Sequence, residues 1–272
     1  NFNISCYDFL QQGIKTIEHR QRSKWFSFID GLKKKYQFNE SMLKNNLNID
    51  GDENKDRLYM EQVIHNIGKK TEYLSKNNEL IITTGVGNHQ MQTYQYIYSH
   101  YPKKIISSGS LGVMGCGLPY AIGAQIANPN KTVLLIDGDS SFNMTLGDLK
   151  TIVEHKLPIK IALMNNDAQM MVTIWEKLFF EERYTATLNK NNPDFVNLAK
   201  SYGLEALNCS KQSNLEETLY KFLNYDGPIL CEFKIEKGIC LPLVGPGKAL
   251  HDMILPENYN TKIKIMDGMA PS

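Results

Sequence analysis

Asp139 and Asn166 are the two residues whose chemistry stands out first. Each sits just beyond a short apolar run, Thr132–Ile136 and Ile159–Met164, and they are 27 positions apart. A carboxylate directly after a buried strand is costly unless it pairs or binds a metal. Carboxylate, amide and backbone carbonyl are hard oxygen donors, the set Mg²⁺ prefers. One carboxylate, one amide oxygen, one backbone carbonyl, a water and two phosphate oxygens complete an octahedral shell. The residues alone leave a plainer alternative open, an ordinary turn in which Asp139 caps a helix.

Two glycine-rich stretches add a ligand cradle. Thr84-Gly85-Val86-Gly87-Asn88-His89-Gln90 follows one apolar run and opens a helix, whose N-terminal N–H groups suit an anion. Ser108-Gly109-Ser110-Leu111-Gly112-Val113-Met114-Gly115-Cys116-Gly117 has four glycines in nine residues, and its apolar members argue against a purely solvated loop. Met171 and Trp175 are one helical turn apart and, with Val172, form either a pocket wall or a packed stripe.

These residues need a scaffold. The strand pattern falls on Leu80–Thr84, Lys104–Ser107, Thr132–Ile136, Ile159–Met164, Leu204–Leu207 and Pro228–Ile235. Helical patterns fill the gaps at His89–Ser99, Leu118–Ala127, Thr145–His155, Gln169–Phe180, Pro193–Tyr202 and Leu215–Leu223. Alternating apolar strands and helices predict an α/β fold, a doubly wound, mainly parallel six-stranded sheet with helices on both faces. Ligands of such sheets sit beyond the carboxyl ends of the strands, where the residues above fall. Residues 79–272 are expected to form this domain. Residues 1–78 read as a helical linker segment. Trp25, Ile29, Leu32 and Tyr36 make one stripe and Met60, Val63, Ile64 and Ile67 a second, with a polar mobile loop near 38–58 between them.

Bulk composition narrows the partners. Thirty basic residues stand against 29 acidic ones, so charge points to neither nucleic acid nor an acidic membrane surface. No apolar run has the length of a membrane span. Five scattered cysteines, Cys6, Cys116, Cys209, Cys231 and Cys240, form no C-x-x-C pair. They fit core positions in an intracellular, reducing compartment, with plastid, mitochondrion and cytoplasm not separated. His19, His65, His100, His155 and His251 lack any site context.

Gly138-Asp139-Ser140, followed at this distance by Asn165-Asn166, resembles the thiamin-diphosphate signature. Ser108 to Gly115, Met171-Val172-x-x-Trp175 and Leu241-Pro242-Leu243-Val244-Gly245-Pro246-Gly247 are similar to acetolactate (acetohydroxyacid) synthases. The resemblance covers residues 79–255, and more weakly 23–36. It implies that Asp139 and Asn166 bind Mg²⁺ through side chains and Ala168 through its backbone oxygen. Gly87, Asn88, His89, Gly138, Ser140 and Ser141 would hold the diphosphate, though His89 also reads as a structural histidine. Gly112 and Met114 would hold thiamin diphosphate in a bent shape, with Met171 against it. Met171, Val172 and Trp175 would wall the substrate pocket. The implied reaction decarboxylates pyruvate and condenses the product with a second 2-keto acid, pyruvate or 2-ketobutyrate, toward branched-chain amino acids.

The resemblance also implies parts outside these residues: an FAD-binding domain, an activating glutamate from a second catalytic subunit, and a regulatory subunit. The chain alone is therefore expected to be inactive. Met170, Ser110, Asn88 and Tyr120 depart from the usual glycine, glycine, glutamine and alanine. Methionine is strained at 170 if that position needs a positive φ. Two other readings compete: another thiamin-diphosphate carboligase or decarboxylase, and a non-catalytic cofactor-binding subunit.

Overall fold

The computed structural model describes residues 4–18, 20–35 and 56–255. They form two compact units. The first holds α1 (Cys6–Thr16) and α2 (Ser23–Lys35). Ser5 caps α1, its Oγ accepting from the Asp8 N–H at 3.1 Å. The Trp25, Ile29 and Leu32 stripe falls on α2. Apolar side chains of both helices, including Phe9, Leu10, Trp25 and Phe28, are exposed. Tyr36 and most of the 38–58 loop lie outside the described residues.

In the second unit, α3 (Met60–Lys76) precedes an alternating series. The series is β1 (Leu80–Thr84), α4 (Asn88–Tyr96), β2 (Ile105–Ile106), α5 (Gly117–Ala127), β3 (Thr132–Gly138), α6 (Asp139–Asn143), α7 (Leu149–Glu154), β4 (Lys160–Asn165), α8 (Met170–Phe179), α9 (Phe195–Tyr202), β5 (Glu205–Cys209), α10 (Leu215–Asn224) and β6 (Ile229–Lys234). The six strands form one sheet in the order β2-β1-β3-β4-β6-β5. Every pairing is parallel. The helical segment expected before residue 79 is divided, with α1 and α2 in one unit and α3 in the other.

Side-chain alternation explains the helices on both faces. Ile82, Leu134, Ile136, Ala162, Met164, Cys231 and Phe233 point to one side, where Val63, Ile64 and Ile67 of α3 and Leu219 and Phe222 of α10 cover them. Ile81, Val133, Leu135, Ile161, Leu163 and Leu230 point to the other. There they meet Leu118 and Ala121 of α5, Leu149 and Ile152 of α7, and Phe195 and Ala199 of α9. A sheet buried on both faces needs continuous apolar strands, which is why the period-two pattern is weak in this sequence.

Two boundaries differ from expectation. Residues 145–155 are a short 3₁₀ turn, Leu146–Asp148, followed by α7 rather than one helix. β3 runs on through Asp137 and Gly138, so Asp137 is inside the sheet and not in the loop after it. Among the described residues no helix is long and apolar enough to cross a membrane.

Candidate cofactor site

The strand order places the site. β1 has β2 on one side and β3 on the other, so chain connections leave in opposite directions there. A crevice opens at such a reversal, beyond the carboxyl ends of the strands. Register pairs Gly138 with Met164, which brings the segments after β3 and β4 side by side. A cleft of about 230 Å³ lies at this edge. Gly87, Asn88, His89, Gly112, Met114, Gly138, Asp139, Ser140, Ser141, Asn166, Ala168, Met171 and Val172 all line it, together with the unexpected Met60, Val86, Met164, Gln169 and Met170. Trp175 does not. It lies one turn further along α8, with its ring 5.3 Å from that of Phe179.

Helix starts converge on the cleft. The caps of α4 and α8, Gly87 and Gln169, make no side-chain cap bond. Gln90 and Val172 already donate to the cap carbonyls, which leaves the N–H groups of Asn88, His89, Met170 and Met171 for an anion. Ser140 and Ser141 reach the cleft from the first turn of α6. Gly112 has φ +61, a left-handed conformation that spares the loop a Cβ penalty at the cleft wall.

The oxygen donors form a compact set. Asp139 is 1% exposed and Asn166 4%. Burial pushes the Asp139 carboxyl above its ordinary range; amide donors from Asn189 and Asn192 pull the other way. The Ala168 N–H donates to Asn166 Oδ1 at 3.2 Å. Residues 167–169 bridge to 187–189 through Gln169 N–H to Thr187 O and Asn189 N–H to Asp167 O. The Ala168 carbonyl is outside that ladder. Among the described residues no group of three His, Cys, Asp or Glu could hold a metal. A cation here must be shared between one carboxylate, neutral oxygens and a phosphate, which is how Mg²⁺ is commonly held with a phosphate ligand. The donor set fits that pairing.

At the cleft wall formed by His89 and Gly138 lies a buried pair. His89 Nε2 is 3.2 Å from Asp137 Oδ1, and Gly138 N–H donates to the same oxygen at 2.9 Å. Glycine is required next to it. A Cβ on Gly85 would stand 1.9 Å from Asp137 Oδ1 and 2.2 Å from Ser141 Oγ.

Comparison with known proteins decides the family. The domain described as thiamine pyrophosphate enzyme, C-terminal TPP binding domain, matches residues 85–233, more than half of the chain. The chain belongs to the thiamine pyrophosphate enzymes. It is 39% identical over 259 residues to the mitochondrial acetolactate synthase catalytic subunit of Saccharomyces cerevisiae, covering 92% of this chain and 34% of the relative. It is 42% identical over 180 residues to the Escherichia coli acetolactate synthase isozyme 2 large subunit, covering 66% and 33%. For the acetolactate synthase large subunit of Porphyra purpurea the values are 43% over 174 residues, 63% and 29%. The chain spans about a third of the length of these relatives.

Within this thiamine pyrophosphate domain, sequence reading missed several polar partners. Asn189 and Asn192 both donate to Asp139 Oδ2, at 2.8 and 2.7 Å. Glu232 of β6, 3% exposed, accepts from Asn165 Nδ2 at 2.8 Å and Asn208 Nδ2 at 2.9 Å. The asparagine-rich run Leu188–Asn192 was the available signal for the first pair. A charged residue inside an apolar strand was the signal for Asp137 and Glu232.

The expected strain at Met170 is absent. Met170 opens α8, and the left-handed residue in this turn is Asp167, at φ 53. Asn88 is buried at the cleft. Tyr120 lies in the first turn of α5 and is part-exposed.

Proposed function

We propose that this chain is the thiamin-diphosphate- and Mg²⁺-binding part of an acetolactate synthase. The reaction is decarboxylation of pyruvate and condensation with a second 2-keto acid, giving acetolactate or acetohydroxybutyrate for branched-chain amino-acid synthesis. The observation that carries the reading is one cleft lined together by Asp139, Asn166 and Ala168, by the starts of α4 and α8, and by Gly112 and Met114 of the glycine-rich loop. Similarity to acetolactate synthase subunits supports the choice of reaction.

Each residue then has a task. Asp139 and Asn166 hold Mg²⁺ by side-chain oxygens and Ala168 by its carbonyl. Gly87, Asn88, His89, Gly138, Ser140 and Ser141 bind the diphosphate through N–H and O–H donors. Gly112 and Met114, which line the cleft from the glycine-rich loop, would support the cofactor there. When bound, thiamin diphosphate supplies the nucleophilic carbon and the electron sink that 2-keto acid chemistry requires. Met171 and Val172 border the space left for the keto acids and exclude water from it. Trp175 acts one turn away, as the end of that wall.

The activating glutamate belongs to a second catalytic subunit, and FAD to a domain outside this chain. A regulatory subunit completes the assembly. The test is complementation. This chain is combined with the N-terminal two-thirds of the Saccharomyces cerevisiae relative, and acetolactate is measured from pyruvate with thiamin diphosphate, Mg²⁺ and FAD. Acetolactate formed by the mixture and by neither part alone supports the reading. Pyruvate turned over to acetaldehyde without acetolactate would point to a decarboxylase instead.

A further inference from the structure

We infer that Asn189 and Asn192 act as a clamp that fixes the Asp139 carboxylate for its cation, an inference that rests on the Mg²⁺ reading above. Neither is a ligand; both are positioning residues. The Asn189 amide donates to Asp139 Oδ2 at 2.8 Å and to Ser140 Oγ at 2.6 Å. The Asn192 amide donates to the same Asp139 oxygen at 2.7 Å and to Asp167 Oδ1 at 2.8 Å. An amide NH₂ has two hydrogens; Asn189 uses both on these two acceptors, and Asn192 uses both on the carboxylates with a longer third contact to Asn165 Oδ1 at 3.3 Å. Asn192 is oriented in turn, because its own oxygen accepts from Asn143 Nδ2 at 3.3 Å. That contact selects which end of the amide meets the carboxylates.

Both amides converge on Oδ2 and neither touches Oδ1. The carboxylate is thereby held against rotation with one oxygen satisfied and the other left for a cation. The Asn192 amide also stands between two carboxylates, Asp139 and Asp167, and offers each a proton. The clamp has a fixed base. Its loop is bridged to Ala168, the proposed carbonyl ligand, through Asn189 N–H to Asp167 O at 2.9 Å. The segment that carries the clamp thus also positions a second ligand of the same cation. Removal of hydrogen-bond partners behind metal ligands typically costs 10–100-fold in metal affinity.

The test uses the full chain and reads Mn²⁺ binding in the presence of thiamin diphosphate by electron paramagnetic resonance, with thiamin diphosphate affinity at saturating Mn²⁺ measured separately by calorimetry. Asn189→Leu and Asn192→Leu keep size and remove the donors; Asp139→Ala is the control. We expect each leucine variant to weaken Mn²⁺ roughly 10-fold or more, with cofactor affinity at saturating Mn²⁺ nearly unchanged and the metal-free melting temperature within a few degrees. Should one leucine variant fail to fold, the other carries the test. Wild-type Mn²⁺ affinity in both variants, with affinity lost in Asp139→Ala, would overturn the clamp and leave the cofactor reading standing. An equal loss of Mn²⁺ and cofactor affinity together with a lowered melting temperature would overturn it too, by showing a merely structural loop. Undiminished Mn²⁺ binding in Asp139→Ala would remove the cation reading itself, and the clamp with it.

Discussion

His89 Nε2 and Asp137 Oδ1 stand 3.2 Å apart, both buried, at the edge of the cleft that His89 lines. His89 stands in the first turn of α4, after β1, and Asp137 near the end of β3. Their contact joins the two sides of the sheet reversal at the point where the cleft opens. Among the described residues neither His89 Nε2 nor Asp137 Oδ2 has a hydrogen-bond partner, so the carboxylate acts on the ring by proximity and charge. Asp137→Asn keeps the shape and removes the charge. It should lower thiamin diphosphate affinity roughly 10-fold, the equivalent of about 1.4 kcal/mol, measured calorimetrically with Mg²⁺ present. Unchanged affinity would reduce His89 to a structural residue.

Gly85 has no room for a side chain. Its Cβ would overlap Asp137 Oδ1 at 1.9 Å and Ser141 Oγ at 2.2 Å, both in the buried floor of the site. Overpacking of this kind costs about 1–3 kcal/mol or more. Gly85→Ala should therefore lower the melting temperature by about 5–10 °C. Gly109→Ala, where no atom lies within 4 Å, should leave it unchanged. Differential scanning fluorimetry on the pair separates steric exclusion from a general intolerance of alanine in these loops.

Met170 is a packing residue. It is 7% exposed and clusters with Ala168, Ile174 and Cys240. Met170→Gly installs the glycine common in acetolactate synthases, yet it relieves no strain because Met170 is helical. It removes a buried side chain, a loss of about 2–4 kcal/mol. Chemical denaturation should show that loss. A stabilised variant would mean that the position prefers left-handed backbone after all.

Cys240 gives a pH-dependent test of the same cluster. Burial first, and the charge of Glu61 second, push its thiol up to about 12 from 9.0. The neutral thiol is favoured in the folded state. Its contribution to stability is whole below about pH 9 and is lost as pH rises toward about 12, at roughly 1.4 kcal/mol per pH unit. At pH 8.5 iodoacetamide should therefore alkylate exposed Cys6 rapidly and Cys240 only after unfolding, as read by peptide mass spectrometry.

Much of this architecture was legible in the residues. Apolar runs such as Thr132–Ile136 marked strands because a strand covered on both faces carries no polar alternation. The residues just after them were the chemical ones because a doubly wound sheet exposes its carboxyl ends there. What stayed hidden depended on three-dimensional juxtaposition. Asn189 and Asn192 lie 50 and 53 positions from the carboxylate they hold, in a run that reads as ordinary loop. Trp175 shares a helical face with Met171, yet the cleft is at the helix start and one turn carries the indole beyond it. Met170 needs no positive φ; the left-handed residue of this turn is Asp167, and aspartate tolerates that backbone.

The most direct test of the cofactor site is calorimetric titration of thiamin diphosphate into this chain, with Mg²⁺, with Mg²⁺ removed by chelator, and with Asp139→Ala. The account predicts binding that requires Mg²⁺ and disappears in the variant. Binding that persists unchanged in Asp139→Ala, or without the cation, would contradict it.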